Sequence, residues 1–162
     1  MNNVKISFFA NRDLMKSVSF QDVLNFLEII DQDFSTPLSK KTDLFLLCNK
    51  FLKSGDMAIA FDSDKRIVGI LVGYISNAHS PLAFASVLGV HPLHRGKGIA
   101  HDLINKFINE GKKINKSLAG IRLYTSRSNI GAIQLYKKMG FVETQSPEKN
   151  RINDIHFVYY YV

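Results

Sequence analysis

The run Leu88-Gly89-Val90-His91-Pro92-Leu93-His94-Arg95-Gly96-Lys97-Gly98-Ile99-Ala100 carries an apolar strand into a glycine-spaced basic turn and then into an amphipathic helix. Residue types in that order build an anion cradle. Glycines at 96 and 98 allow close backbone approach, the first N–H groups of the helix lack intrahelical partners, and Arg95 and Lys97 add positive charge. A pyrophosphate suits such a site. Two familiar phosphate loops do not fit these letters: the third glycine of a dinucleotide fingerprint would fall at His101, and no Gly-Lys-Ser or Gly-Lys-Thr occurs anywhere.

Arg95, Gly98 and Ala100 form Arg-x-x-Gly-x-Ala, preceded by the Val-x-Pro of Val90 and Pro92. Downstream, Asn129, Ala132, Tyr136, Gly140 and Phe141 form Asn-x-x-Ala-x-x-x-Tyr-x-x-x-Gly-Phe. The two patterns in this order resemble the acetyl-CoA-binding motifs of the GNAT family of N-acetyltransferases. The likeness covers about residues 56 to 145, and the N-terminal third is alike only in layout.

The resemblance implies direct transfer of an acetyl group from acetyl-CoA, a cosubstrate, to a primary amine within a ternary complex. It assigns the backbone of Leu88, Gly89 and Val90 to the acyl end, with an N–H near Leu88 or Val90 stabilising the oxyanion. It gives the pyrophosphate to Arg95, Gly96, Lys97, Gly98, Ile99 and Ala100, and the pantetheine arm to Asn129 and the Ala132 helix. Tyr136 becomes the proton donor to the leaving thiolate, a role whose loss costs about 10²- to 10⁴-fold. Each assignment has a structural rival. Asn129 can simply cap its helix, Tyr136 can be a core tyrosine, and Gly89 can mark either a bulge or a close-packing position.

The general base is left open. No carboxylate lies in the strand 81–90, where many family members place a glutamate, so Ser86, His79, His91, Asp31, Asp33 or a water chain are the candidates. His91, His94 and His101 are read as surface histidines and no metal is expected, because two lie in a turn and the third on a helix.

The amine acceptor falls to the segment Asp31-Gln32-Asp33-Phe34-Ser35-Thr36-Pro37-Leu38, whose acids can meet a cationic amine, bond a sugar, or only cap helices. Asp33-Phe34 with Pro37-Leu38-Ser39 faintly resembles acyltransferases of bacterial surface-polysaccharide pathways that act on nucleotide-linked amino sugars. Protein or peptide N-termini, antibiotics, polyamines and amino acids stay open.

Periodicity supplies the elements that must hold these residues. Strands are expected at 4–9, 57–61, 67–76, 81–90 and 120–125, with 141–144 and 155–162 as a closing hairpin. After Asp13 the chain reads as loop up to the helix that opens at Phe20. Helices are expected through Phe20 to Ile30, near 42–53 with Gly55 as terminator, from the cradle to about Glu110, and over 129–138. The fold class is α/β: a single-domain, GNAT-like sandwich spanning 1–162, with a central mixed, mostly antiparallel sheet splayed at the cofactor site.

Composition fits one globular domain, with 46% apolar and 22% charged residues in 162. Cys48 is the one cysteine and sits among apolar neighbours, so it reads as a buried structural thiol. The opening Met1-Asn2-Asn3-Val4-Lys5 lacks a signal-peptide core and an acceptor glycine for myristoylation, and no apolar run suits a membrane. A cytoplasmic protein without a membrane partner is expected. Between His94 and Lys138 ten Lys and Arg face two acids, a local +8 that accounts for the whole net charge of +7. That field suits coenzyme A, and no nucleic-acid partner is expected, since no nucleic-acid motif accompanies it. A noncatalytic acetyl-CoA sensor is the alternative to an enzyme. The aromatic stretch 156–162, if at a sheet edge, would pair with a second chain to give a homodimer.

Overall fold

The computed structural model describes residues 3–162, so the reading of Met1 and Asn2 lies outside the described residues. One sheet of seven strands organises the chain: β1 (Lys5–Phe9), β2 (Asp56–Phe61), β3 (Ile67–Tyr74), β4 (Leu82–Val90), β5 (Gly120–Ser126), β6 (Val142–Thr144) and β7 (Asp154–Tyr160). Their spatial order is β1-β2-β3-β4-β5-β7-β6, and every pair is antiparallel except β4 with β5.

Helices cover both faces. On one side α1 (Asn11–Ser17), α2 (Phe20–Ile30) and α4 (Leu44–Ser54) enclose Leu14, Phe26, Leu27, Ile30, Phe51 and their neighbours against β2 and β3. On the other, α5 (Ile99–Ile114) lays Ile99, Leu103, Ile104, Phe107 and Ile108 on the sheet, beside Tyr136 of α6 (Ile130–Lys138). That stripe follows the helical period, which is why it was visible in the sequence. Ser19, Asp43 and Asn129 each accept a backbone N–H at the start of a helix, fixing where α2, α4 and α6 begin. Cys48 is fully buried in the α2–α4 layer, where burial pushes its thiol up to about 11.

Several expectations are corrected and two open ones decided. The stretch read as loop after Asp13 begins inside α1, which is tied down by tertiary bonds: Asn11 Nδ2 donates to Gly55 O (2.8 Å), and its own N–H donates to the Asp56 carboxylate (2.8 Å). A short helix α3 (Leu38–Lys41) follows Pro37, which occupies its N-cap, and α5 continues past Glu110 to Ile114. Gly89 is not a bulge: a Cβ there would meet Ile30 Cδ1 at 2.5 Å, so it lets α2 lie close on the strand. The C-terminal strand is not an edge either, because β7 pairs with β5 on one side and β6 on the other.

Candidate active site

The bulge lies at Ser86 instead. Val72 stands opposite Val87 and Gly73 opposite Ala85, leaving Ser86 as the extra, exposed residue of β4. The parallel pairing of β4 with β5 ends at the same place, its last pair being Ala85 with Leu123. Beyond it β4 runs five more residues to Val90 with β3 on one side only. His91 N–H donates to Val68 O of β3 (2.8 Å). Strand alternation then turns the main-chain groups of Gly89 toward β3, and those of Leu88 and Val90 toward the gap. Val90 O confirms this direction, since it accepts from Arg95 Nε (3.2 Å) rather than from β3.

A cleft of about 570 Å³ passes through this gap. Leu88, Ser86 and Leu123 stand at its waist; Tyr136, Phe107 and Phe141 form its α5 side. Its other mouth is walled by Asp33 and Phe34 of the 3₁₀ turn Asp31–Asp33 and its exit, by Lys41 of α3, and by Tyr124, Arg151 and Asp154. At the C-terminal end of β4 a smaller hollow of about 190 Å³ is lined by Val90, His94, Arg95, Gly96, Gly98 and Ala100, among others.

Residues read from the sequence as an anion cradle line that hollow. Gly96 and Gly98 have φ of +76° and +80°, a conformation L side chains rarely adopt, and a Cβ on either would meet nothing within 4 Å. Open space lies beside both glycines where α5 starts at Ile99, and the first N–H groups of a helix lack intrahelical partners, so the turn can receive an anion. Lys97 is exposed on the same turn. Arg95 lines the hollow, and its guanidinium bonds Val90 O and forms an ion pair with Asp33.

Of the second motif, Tyr136 lines the cleft and packs between Phe141 and Phe157, at ring distances of 5.5 and 5.8 Å. It is 7% exposed, and burial pushes its phenol up to about 12. Asn129 lines the cleft and also caps α6, its Oδ1 accepting from Ala132 N (3.2 Å). Ala132 packs against the α5 layer.

The candidate bases separate clearly. Ser86 and Asp33 line the cleft, whereas His79, His91 and Asp31 do not. His91 Nδ1 accepts from Leu93 N (3.1 Å) and caps the 3₁₀ turn Pro92–His94. Asp31 is buried and accepts from Ser39 N (2.8 Å) and Ser39 Oγ (2.5 Å), and these two bonds hold its carboxyl below the ordinary aspartate range. His101 and His94 lie at the cradle, the former 3.2 Å from Asp102 and the latter with Nδ1 buried and unpartnered.

Sequence reasoning missed Tyr124, Arg151 and Asp154. Arg151 stacks on the Tyr124 ring (4.0 Å) while donating to Glu148 (2.6 Å) and, more loosely, to Asp154 (3.4 Å). Their signal is the register of β5 with β7, which sets Asp154 opposite Ser126 and His156 opposite Tyr124. No local pattern in the chain encodes that pairing.

A model of the acetyltransferase (GNAT) family matches residues 23–141 of the chain. The chain belongs to the GNAT family. The members of that family are acetyltransferases that use acetyl-CoA. The streptothricin acetyltransferase of Escherichia coli is 37% identical over 78 residues, 48% of this chain and 42% of that protein. The chain spans less than half the length of the curated relatives it matches. A GNAT acetyltransferase from Staphylococcus aureus has the same fold, with a TM-score of 0.70 at 18% identity over 96% of this chain and 97% of that one. The NatC complex bound to Gag peptide and CoA gives 0.72 at 20% identity over 99% of each chain. Among the described residues no helix is long and apolar enough to cross a membrane.

Proposed function

We propose that residues 1–162 act as a single N-acetyltransferase domain that moves an acetyl group from acetyl-CoA directly to a primary amine in a ternary complex. The observation that carries this reading is the parting of β4 from β5 at Ala85 and Leu123, with the N–H groups of Leu88 and Val90 directed into the gap above the cradle. Acetyl-CoA supplies the activated acyl group as a thioester. The chain's own groups do the rest. The backbone N–H groups of 96–100 hold the pyrophosphate, with Lys97 adding charge, and Asn129 receives the pantetheine arm at the head of α6. The N–H groups of Leu88 and Val90 face the developing negative charge on the acyl oxygen, a preorganised arrangement that costs no reorientation during reaction. Gly89 serves that arrangement by packing, since its own N–H belongs to β3.

Tyr136 stands on the cleft wall as partner of the leaving sulfur. Burial pushes its phenol up to about 12, so at neutral pH it carries its proton and can donate it toward that sulfur. On the acceptor side, both cleft carboxylates are paired with arginine, Asp33 with Arg95 and Asp154 with Arg151. Lys41, exposed on the same wall, is in no ion pair among the described residues. That charge pattern favours an amine that also carries an anionic group, as a nucleotide-linked amino sugar does, over a polyamine. The setting proposed is the cytoplasm of a bacterium, where acetyl-CoA is at hand.

The test is calorimetric titration of acetyl-CoA into the protein, then thiol release across amino sugars, nucleotide-linked amino sugars, peptides and polyamines. Micromolar binding with amine-dependent release supports the transferase and names its substrate class. Binding without release on every amine would favour the sensor, and absence of binding would overturn the reading.

A further inference from the structure

We infer that Arg95 is a positioning residue for the acceptor side of the site rather than a ligand of the pyrophosphate. The inference rests on the proposed division of the site into cradle and acceptor cleft. Arg95 opens the glycine turn, so its charge points by sequence to a phosphate. Its guanidinium is spent elsewhere. Nε donates to Val90 O at 3.2 Å, and a terminal nitrogen is paired with the Asp33 carboxylate, 62 residues away in the chain.

Both partners matter chemically. Val90 belongs to the part of β4 that has lost β5, so its carbonyl has no strand partner, while the N–H of the same peptide, that of His91, is held by Val68 O of β3 (2.8 Å). The guanidinium on that carbonyl is the peptide's second anchor, on the side of the gap into which the Val90 N–H is directed. Asp33 ends the 3₁₀ turn whose exit residues Phe34 and Ser35 wall the acceptor mouth. Little else ties Asp33 down from the sheet: the other polar anchor of its turn, Asp31, is bonded within the same segment to Ser39 and Gln32. Phe34 and Leu38 seat the segment by apolar packing, and Arg95 adds the polar tie between the acceptor wall and the splayed strand. Its fork geometry is what allows the two contacts together, which a lysine would not supply.

The two roles predict opposite signs for one substitution. If Arg95 bound phosphate, Asp33→Asn would release it and tighten acetyl-CoA binding, while Arg95→Gln would weaken binding tenfold or more. As a positioning residue, both variants shift acetyl-CoA affinity by less than threefold and in the same direction, measured by calorimetry. In amide hydrogen exchange of the free protein, each variant speeds exchange across residues 31–39 by about tenfold, the double variant no further than either alone. Asp33→Glu, which keeps the carboxylate, restores the slow exchange. With any amine that the enzyme turns over, KM for the amine rises in both variants while KM for acetyl-CoA stays. Unchanged exchange at 31–39, additive effects in the double variant, or opposite shifts in acetyl-CoA affinity would overturn the inference. Failure of the wild type to bind acetyl-CoA would instead overturn the cofactor reading, and the exchange measurements on free protein would still stand.

Discussion

Tyr136 illustrates how burial sets what a side chain can do. Its phenol lies between two phenylalanine rings, where ionisation is disfavoured, so it keeps its proton throughout the working range. Tyr136→Phe is expected to lower kcat by about 10²-fold or more, the range for loss of a proton-donating group. Acetyl-CoA affinity should stay within a few fold, and the wild-type pH profile should show no fall below about pH 10 that the variant lacks. Asp31 gives a second test. Its carboxyl is held low chiefly by the Ser39 hydroxyl and then by the Ser39 amide. A carboxyl lowered on folding adds stability above its unfolded value, 3.8, and that stability is lost as pH falls through the folded value. Ser39→Ala should thus be less stable than wild type in urea at pH 7, with the gap narrowing below about pH 4. A gap of constant size down to pH 2.5 would assign Ser39 to packing instead. At this scale the sequence was readable where types are constrained by local geometry: Gly96 and Gly98 adopt positive φ, as their spacing before a helix implied. Asp33 was visible only as a free acid, because nothing local announces a partner 62 positions away.

The elements divide in the same way. The amphipathic stripe of α5 and the capping asparagine of α6 were legible because they depend on neighbours within a few residues. Helix α1 was not, since Asn11 is bonded to Gly55 and Asp56 and its one buried side chain, Leu14, contributes no periodic pattern. Gly89 stayed open between bulge and close packing because a glycine in a strand has both explanations, and only Ile30, from another element, chooses between them. Asn129 holds both a cap and a place in the cleft, and its two roles can be separated. Asn129→Asp keeps an oxygen for Ala132 N, so urea stability should stay within about 0.5 kcal/mol while acetyl-CoA affinity falls. Asn129→Ala should lose about 1 kcal/mol of stability as well. Equal affinity in Asn129→Asp and wild type would reduce Asn129 to a cap.

For the molecule as a whole, charge is unevenly distributed. The +8 segment from His94 to Lys138 opens at the cradle turn with Arg95 and Lys97 and carries Lys112 and Lys113 on the far last turn of α5, so toward the proposed cofactor side it acts as a long-range field rather than as contacts. Acetyl-CoA affinity should therefore drop about tenfold between 0.05 and 1 M salt, as the screening length shrinks to a few ångströms. A salt-independent Kd in calorimetry would mean that the backbone cradle alone supplies the affinity. The layer beneath α2 and α4 has a different consequence. The chain carries a single sulfhydryl, enclosed at 0% exposure and pushed up to about 11, so at neutral pH it is neither reachable nor ionised. The enzyme is therefore colourless to a disulfide dye until it unfolds. Every equivalent of colour that grows in a reaction with native protein then counts a coenzyme released, and no correction for the catalyst is needed.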